Sequence, residues 1–267
     1  MKAAYANGVL SAFEEAGHTR FDALYGTSAG GAMAAWFAAR QAVYAEETWR
    51  YAADPRILSY RRWFTRRGPL LDHEALLDIV YLREHPLDVA AVQRHPTPVI
   101  VTASDVEEGR PHYQDLRCTD VIPWLKATGR LPFASGPPVL IGGRFYLDGG
   151  ITDPIPVRRA VAEGNTRVTL ILNTLAGPHR RDNRVVAGLT ARKWPALREG
   201  ILHHQTIKAD TVAWAATPPD GVRVDTIRPT HRTGLHRLSR DLNVIRGAIQ
   251  QGREDARRHL ADLDRSG

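Results

Sequence analysis

The stretch Phe21-Asp22-Ala23-Leu24-Tyr25-Gly26-Thr27-Ser28-Ala29-Gly30-Gly31 decides the fold. A short apolar run, Phe21 to Tyr25, leads into Gly26-Thr27-Ser28-Ala29-Gly30, and a long Ala-rich segment follows. The order reads as strand, tight turn, helix. In a Gly-x-Ser-x-Gly elbow the flanking glycines permit a turn too crowded for a β-carbon, so the serine hydroxyl stands at the apex with a helix N-terminus beneath it. That makes Ser28 a candidate nucleophile. The first N–H groups of the helix, beginning with that of Ala29, lack intrahelical partners and suit an oxyanion, which the helix dipole also favours. The competing reading is a Gly/Ser-rich loop that merely enters a helix.

Ahead of the elbow, positions 2–16 place Tyr5, Val9 and Phe13 at spacing four, with Leu10 alongside and Gly17 as a stop, which predicts an amphipathic helix. An α/β unit ordinarily has a strand and a turn before such a helix, so the first strand is expected to be missing from this chain. After the elbow, Ala32 to about Tyr51 reads as one long, mostly buried helix. Leu70 to Leu82 predicts another. The unalternating run Pro98 to Ala103 predicts a strand covered on both faces, with Gly109 to Gln114 returning beside it. Asp120 to Thr128 suits a short helix and Leu131 to Pro138 a loop. Val139-Leu140-Ile141, Gly142-Gly143 and Arg144 to Leu147 predict a hairpin with a primed turn.

The hairpin ends in Asp148-Gly149-Gly150. The glycines let the chain turn directly after the carboxylate, so Asp148 projects from a strand end, either as a catalytic group or as a turn aspartate bonded to its own backbone. Ile155 to Glu163 then predicts a helix, Arg167 to Leu172 a buried strand, Val222 to Ile227 a last strand and Arg240 to Leu263 a charged amphipathic helix. Residues 185–216 look helical in parts. Within them His203 and His204 are adjacent, cannot share a helix face, and read as structural or solvated. Strands alternating with helices predict an α/β fold with a mainly parallel central sheet and helices on both faces. One domain over 1–267 is expected, with 176–267 its less recognisable helical part.

The chain has 267 residues, 43% of them hydrophobic, enough for a substantial core. Cys118 is the single cysteine, which excludes an internal disulfide, and no Cys/His spacing resembles a zinc site. No signal-peptide pattern and no apolar run near 20 residues is present, so a soluble, cytoplasmic protein is expected. The net charge is +7, and 32 of the 36 basic residues are arginine. A positive surface attracts anionic partners, but no helix-turn-helix, zinc-finger or aromatic single-strand motif accompanies it, which argues against nucleic acid. In Tyr60 to Pro69, Trp63 and Phe64 stand between two arginine pairs. The segment either lies on an anionic lipid surface or packs its aromatics inward.

Tyr5-x-x-Gly8-Val9-Leu10, Phe21-Asp22 with Gly26-Thr27-Ser28-Ala29-Gly30-Gly31, Leu131-Pro132 with Pro137-Pro138, and Tyr146-Leu147-Asp148-Gly149-Gly150 with Pro154 and Pro156 together resemble a bacterial patatin-like phospholipase across about the first 175 residues. The resemblance implies a Ser-Asp dyad, with Ser28 as nucleophile and Asp148 as the base acting directly on it, and no histidine, metal or cofactor. With it goes the expectation of a lipid acyl hydrolase of the phospholipase A or lysophospholipase kind, working through an acyl-enzyme on phospholipid or another acyl ester; its basic and aromatic surface would dock it peripherally on an anionic membrane, at the inner face. An aspartate of ordinary pKa, about 3.9, is a feeble base, so Asp148 must sit within hydrogen-bond reach of Ser28 and partly out of water.

The elbow residues Gly26, Ala29 and Gly30 carry over directly. Family members place a Gly-rich oxyanion loop just before the position of Met1, and Lys2 matches the basic residue that follows that loop. This chain starts after those glycines, which leaves either a misassigned start with a longer native protein, the reading expected here, or a truncated relative with little activity. The alternatives are a non-catalytic patatin-like protein that binds lipid or a partner and, more distantly, an acyltransferase using the same elbow.

Overall fold

The computed structural model describes residues 1–177, 188, 191–236 and 238–266. Its strands are β1 (Leu24–Thr27), β2 (Val99–Asp105), β3 (Pro111–Asp115), β4 (Val139–Ile141), β5 (Arg144–Asp148), β6 (Arg167–Ile171) and β7 (Arg223–Ile227). β2 is the axis of the larger sheet and is buried along nearly all its length, as an apolar run without alternation demands. It pairs in parallel with β1, Leu24↔Val99 to Thr27↔Thr102, and antiparallel with β3, Ile100↔Asp115 to Ser104↔Pro111. β5 joins it antiparallel, Ala103↔Asp148 to Asp105↔Tyr146, and β4 closes the edge through the hairpin. That hairpin turns on Gly142 and Gly143, both at positive φ, as its primed turn requires.

The fold is therefore mixed α/β, a central sheet of parallel and antiparallel pairs flanked by helices. β6 and β7 pair in parallel with each other, Arg167↔Arg223 to Ile171↔Ile227, and form a separate two-stranded sheet among the described residues. A cavity of about 680 Å³ lies between the edges of β1 and β6. It changes one expectation: Val168, Thr169, Leu170 and Ile171 of β6 are only half-buried, because this strand borders the cavity.

The segment expected as one helix from Ala32 to Tyr51 is broken. Ala29–Ala38 is α-helical, Ala42–Ala45 forms a second short helix, and Glu46–Ala53 winds as 3-10. Arg40 adopts φ 59°, and the N–H groups of Arg40 and Gln41 return to the carbonyls of Phe37 and Trp36, a left-handed stop. The new start is capped from outside, since the Glu14 carboxylate accepts from the N–H groups of Ala42 and Val43. The other expected helices form close to their predicted limits: Val121–Thr128, capped by Asp120, Val157–Ala162, and Leu242–Ser266. His73–Ala75 continues as a π-helix through Leu76–Glu84. Of the stretch 185–216, residues 185–187, 189 and 190 lie outside the described residues; Arg198–Leu202 and His204–Ala216 are helical.

The first helix, Ala4–Glu15, buries Tyr5, Val9 and Phe13 as its spacing predicts, and Gly17 at φ +69° follows it. It is clasped by the last. A β-carbon on Gly8 would lie 2.0 Å from the Ile249 carbonyl oxygen, and one on Gly252 2.2 Å from that of Tyr5. The two helices thus approach backbone to backbone, where only glycine fits. The Tyr5 hydroxyl donates to Asp255 Oδ2 at 2.8 Å across the same junction.

Candidate active site

The register of β2 brings the two candidate residues together. β3 pairs with Ile100 through Ser104 and so occupies one edge of β2 continuously. β1, opposite Val99 to Thr102, and β5, opposite Ala103 to Asp105, must then share the other edge, running toward each other. Thr27 ends opposite Thr102 and Asp148 opposite Ala103, the next residue along. The strand ends meet head-on, and the Ser28 hydroxyl donates to Asp148 Oδ2 at 2.7 Å.

Ser28 sits at φ 57°, ψ −132°, a conformation that costs an L-residue roughly 1–3 kcal/mol. Gly26 makes the bend possible, because a β-carbon there would lie 2.5 Å from the Gly30 carbonyl oxygen. Thr128 holds the apex: its hydroxyl accepts from the Ser28 N–H at 2.8 Å and donates to the Thr102 carbonyl at 2.6 Å. Beyond the elbow, Gly31 and Ala32 donate to the Ser28 carbonyl. The N–H groups of Ala29 and Gly30 open the helix, where no intrahelical acceptor exists for them, and Ala29 is exposed. Lys2 lies in the turn ahead of the first helix, its carbonyl accepting from the Tyr5 N–H.

Asp148 is buried, only 4% exposed. Its Oδ1 accepts from the Gly150 N–H at 2.7 Å, its own N–H donates to the Arg130 carbonyl at 2.9 Å, and its carbonyl accepts from the Ser104 hydroxyl at 2.8 Å. Oδ1 is thereby bonded to the following turn while Oδ2 faces Ser28. Gly149 must be glycine, since a β-carbon would meet the Thr102 carbonyl oxygen at 2.1 Å. Nearby, Asp153 accepts from the Tyr113 hydroxyl; burial pushes its carboxyl above the ordinary range, and that hydrogen bond opposes the shift. Thr27 donates to the Asp153 carbonyl at 3.0 Å, so this group braces β1 from below.

Sequence reasoning misses three contributors. Thr128 and Arg130 are separated from the elbow by about a hundred residues and belong to no local motif. His204, read as structural or solvated, places Nδ1 2.7 Å from the Gly150 carbonyl, so its ring abuts the turn that holds Asp148; His203 faces Glu199 instead. Among the described residues no group of three or more His, Cys, Asp or Glu side chains is arranged to hold a metal.

Thr128 offers a direct test. Thr128→Val keeps the shape but leaves the Ser28 N–H and the Thr102 carbonyl without their buried partner, at a cost of about 2 kcal/mol. The expected result is a Tm lower by roughly 4–8 °C, and a larger proportional loss in kcat than in KM because the elbow is misplaced.

Arg130 anchors the loop beneath Asp148. Its guanidinium, 4% exposed as a residue, donates to the Ser135 carbonyl and to Glu74, which also pairs with Lys126. His73 packs on Gly129 at the foot of this loop, and burial, with Arg130 adding to it, pushes its imidazole down to about 4. The unfolded chain takes up that proton near pH 6.5, so stability is complete above that value and declines as pH falls toward 4, by up to about 3 kcal/mol. Urea midpoints at pH 7 and pH 4.5 should differ markedly less in His73→Leu than in the parent.

Residues 1–161, more than half of the chain, match the family model described as patatin-like phospholipase. The chain belongs to the patatin-like phospholipase family. Proteins of this family act on lipid acyl esters, and the Ser28 elbow and Asp148 turn both fall inside the matched segment. The chain is also 26% identical over 275 residues to "Uncharacterized protein YjjU" of Escherichia coli strain K12, across 96% of this chain and 73% of that protein. No helix among the described residues is long and apolar enough to cross a membrane.

Proposed function

We propose that the chain is a serine lipid acyl hydrolase of the phospholipase A or lysophospholipase kind, using a Ser28-Asp148 dyad. The single observation that carries this reading is the 2.7 Å bond from the Ser28 hydroxyl to a buried carboxylate. As Ser28 Oγ attacks the ester carbonyl carbon, its proton passes to Asp148 Oδ2. The oxygen that becomes negative is met by the Ala29 N–H at the helix N-terminus. Collapse expels the alcohol, which takes the proton from Asp148, and leaves an acyl-Ser28 ester. Asp148 then removes a proton from water, which releases the fatty acid and restores the hydroxyl. Gly26 and Gly30 shape the elbow, and Lys2 stands ahead of it. No cofactor or metal enters this scheme.

The same reading includes a cytoplasmic protein of one domain that touches anionic membrane peripherally and does not engage nucleic acid. Its support is the segment Tyr60–Phe64, where Phe64 is 72% and Trp63 44% exposed beside Arg61, Arg66 and Arg67. The Leu71 N–H donates to the Ala134 carbonyl, tying that segment to the loop bearing exposed Phe133. Aromatics can enter the interface there while arginines meet phosphates.

Intact-mass spectrometry after reaction with a fluorophosphonate tests the chemistry. One adduct on Ser28 is expected. A folded sample that takes up no adduct yet sediments with anionic vesicles would favour the non-catalytic lipid-binding alternative.

A further inference from the structure

We propose that His204 is a positioning residue for the base: through the Gly150 carbonyl it fixes the turn that aims Asp148 Oδ2 at Ser28. The inference rests on the reading of Ser28 and Asp148 as a dyad and extends it to a residue outside the matched segment 1–161.

The turn needs support from outside itself. Asp148 is followed by two glycines, which have no side chain to limit φ and ψ, so the backbone there restrains itself least. The direction of the carboxylate depends on that backbone. The Gly150 N–H donates to Asp148 Oδ1 at 2.7 Å, and with Oδ1 so held, Oδ2 meets the Ser28 hydroxyl. The Gly149 carbonyl is taken by the N–H groups of Thr152 and Asp153. The Gly150 carbonyl is bonded from another part of the chain, by His204 Nδ1 at 2.7 Å. A carbonyl oxygen only accepts, so Nδ1 carries the proton. Residue 150 is thereby held at both ends, its N–H by the carboxylate and its C=O by the imidazole.

The segment that brings His204 to this point clamps the same turn. Trp194, Leu197 and Ile201 pack with Leu147 and Ile151, which flank the turn on either side. Gly200 lies backbone to backbone on Ile151, where a β-carbon would meet the carbonyl oxygen at 2.3 Å. Ala196 lies as closely on Gly109, at the turn between β2 and β3, where a β-carbon would meet the Ala196 carbonyl oxygen at 2.1 Å. Phe133, on the loop that follows Arg130, rests on Trp194 with ring centroids 5.0 Å apart. These apolar contacts fix where the turn lies. A hydrogen bond has direction, so the His204 bond fixes how the Gly150 peptide is rotated, and with it the donor to Oδ1.

The test compares the whole chain with His204→Phe and His204→Asn. Phenylalanine keeps a ring and removes the donor; asparagine keeps an N–H donor near the place of Nδ1 and removes the rest of the ring. His204→Phe is expected to lower kcat on a fluorogenic ester about 10- to 100-fold with KM within about twofold, because only the alignment of the base is lost. Its Gly150 amide should exchange about tenfold faster than the parent's. His204→Asn should recover both, to within about threefold of the parent. Undiminished kcat and exchange in folded His204→Phe would reduce His204 to packing and overturn the proposal. So would a His204→Asn variant no better than His204→Phe, since the donor would not then be what matters. If His204→Phe does not fold, nitrogen NMR of the parent with its ring neutral decides: the proton is expected on Nδ1, and a proton on Nε2 alone rejects the bond. The two readings fail separately. A parent that neither turns over ester nor takes up a fluorophosphonate defeats the dyad, and the Gly150 exchange still decides whether His204 holds the turn.

Discussion

Ser28→Ala should abolish ester turnover, lowering kcat/KM by about 10^4- to 10^6-fold, and remove all fluorophosphonate labelling, while the protein stays folded. The two effects separate because the hydroxyl and the backbone are held by different groups. The elbow is set by Gly26, by the Thr128 hydroxyl on the Ser28 N–H and by the helix that follows, none of which needs the side-chain oxygen. Removing that oxygen deprives Asp148 Oδ2 of one hydrogen bond, worth about 1–2 kcal/mol, or a Tm lower by roughly 2–8 °C. Turnover of a fluorogenic ester, followed beside the thermal melt, checks both halves. A variant that keeps its activity would remove Ser28 from the chemistry, and one that unfolds would assign it to structure.

Asp148→Asn separates a base from a turn-former. The amide oxygen of asparagine can still accept from the Gly150 N–H, as Asp148 Oδ1 does, so the turn through Gly149 survives. The amide nitrogen then faces Ser28 and can only donate, leaving the hydroxyl proton without an acceptor. Turnover should fall about 10^3- to 10^4-fold with little change in Tm. Activity preserved in Asp148→Asn would mean that the carboxylate serves only its own backbone. The expected kinetic signature is a fall in kcat with KM nearly constant, because the proton is moved only in the transition state.

The elbow was legible because its signal is local. Gly26, Ser28 and Gly30 lie within five residues of one another, and the crowding that demands a glycine at Gly26 comes from the Gly30 carbonyl, within one turn of backbone; at Gly30 itself, which the motif also reads as crowded, a β-carbon would meet nothing within 4 Å. The hairpin and its Gly142-Gly143 turn were legible for the same reason. The break at Arg40 was not: Ala-rich sequence favours a continuing helix, and the carboxylate that starts the next one belongs to Glu14, on a different helix. Thr128 was hidden in the same way, since a threonine ending a short helix carries no mark of the serine it will hold. In the sequence His204 has only His203 beside it to suggest a role, whereas the ring's partner is the Gly150 carbonyl, contributed by another part of the chain. The exposure of Trp63 and Phe64 was one of two readings the residues left open, and only the packing of the surrounding segments decides between them.

The clasp between the first and last helices bears on how the protein is made. Tyr5 finds Asp255 across 250 residues of sequence, and Gly8 rests on Ile249. A ribosome adding about 5–20 residues per second emits the first helix some 10–50 s before its partner exists. During that interval the side of the first helix that meets Ile249 and Gly252 lacks its cover, although Phe37 and Ala42 of its other neighbours are already made, so the emerging chain presents that strip to whatever surrounds it. Completion of the fold is thereby tied to completion of synthesis, and a chain released before Leu242–Ser266 has been added is left with that strip open.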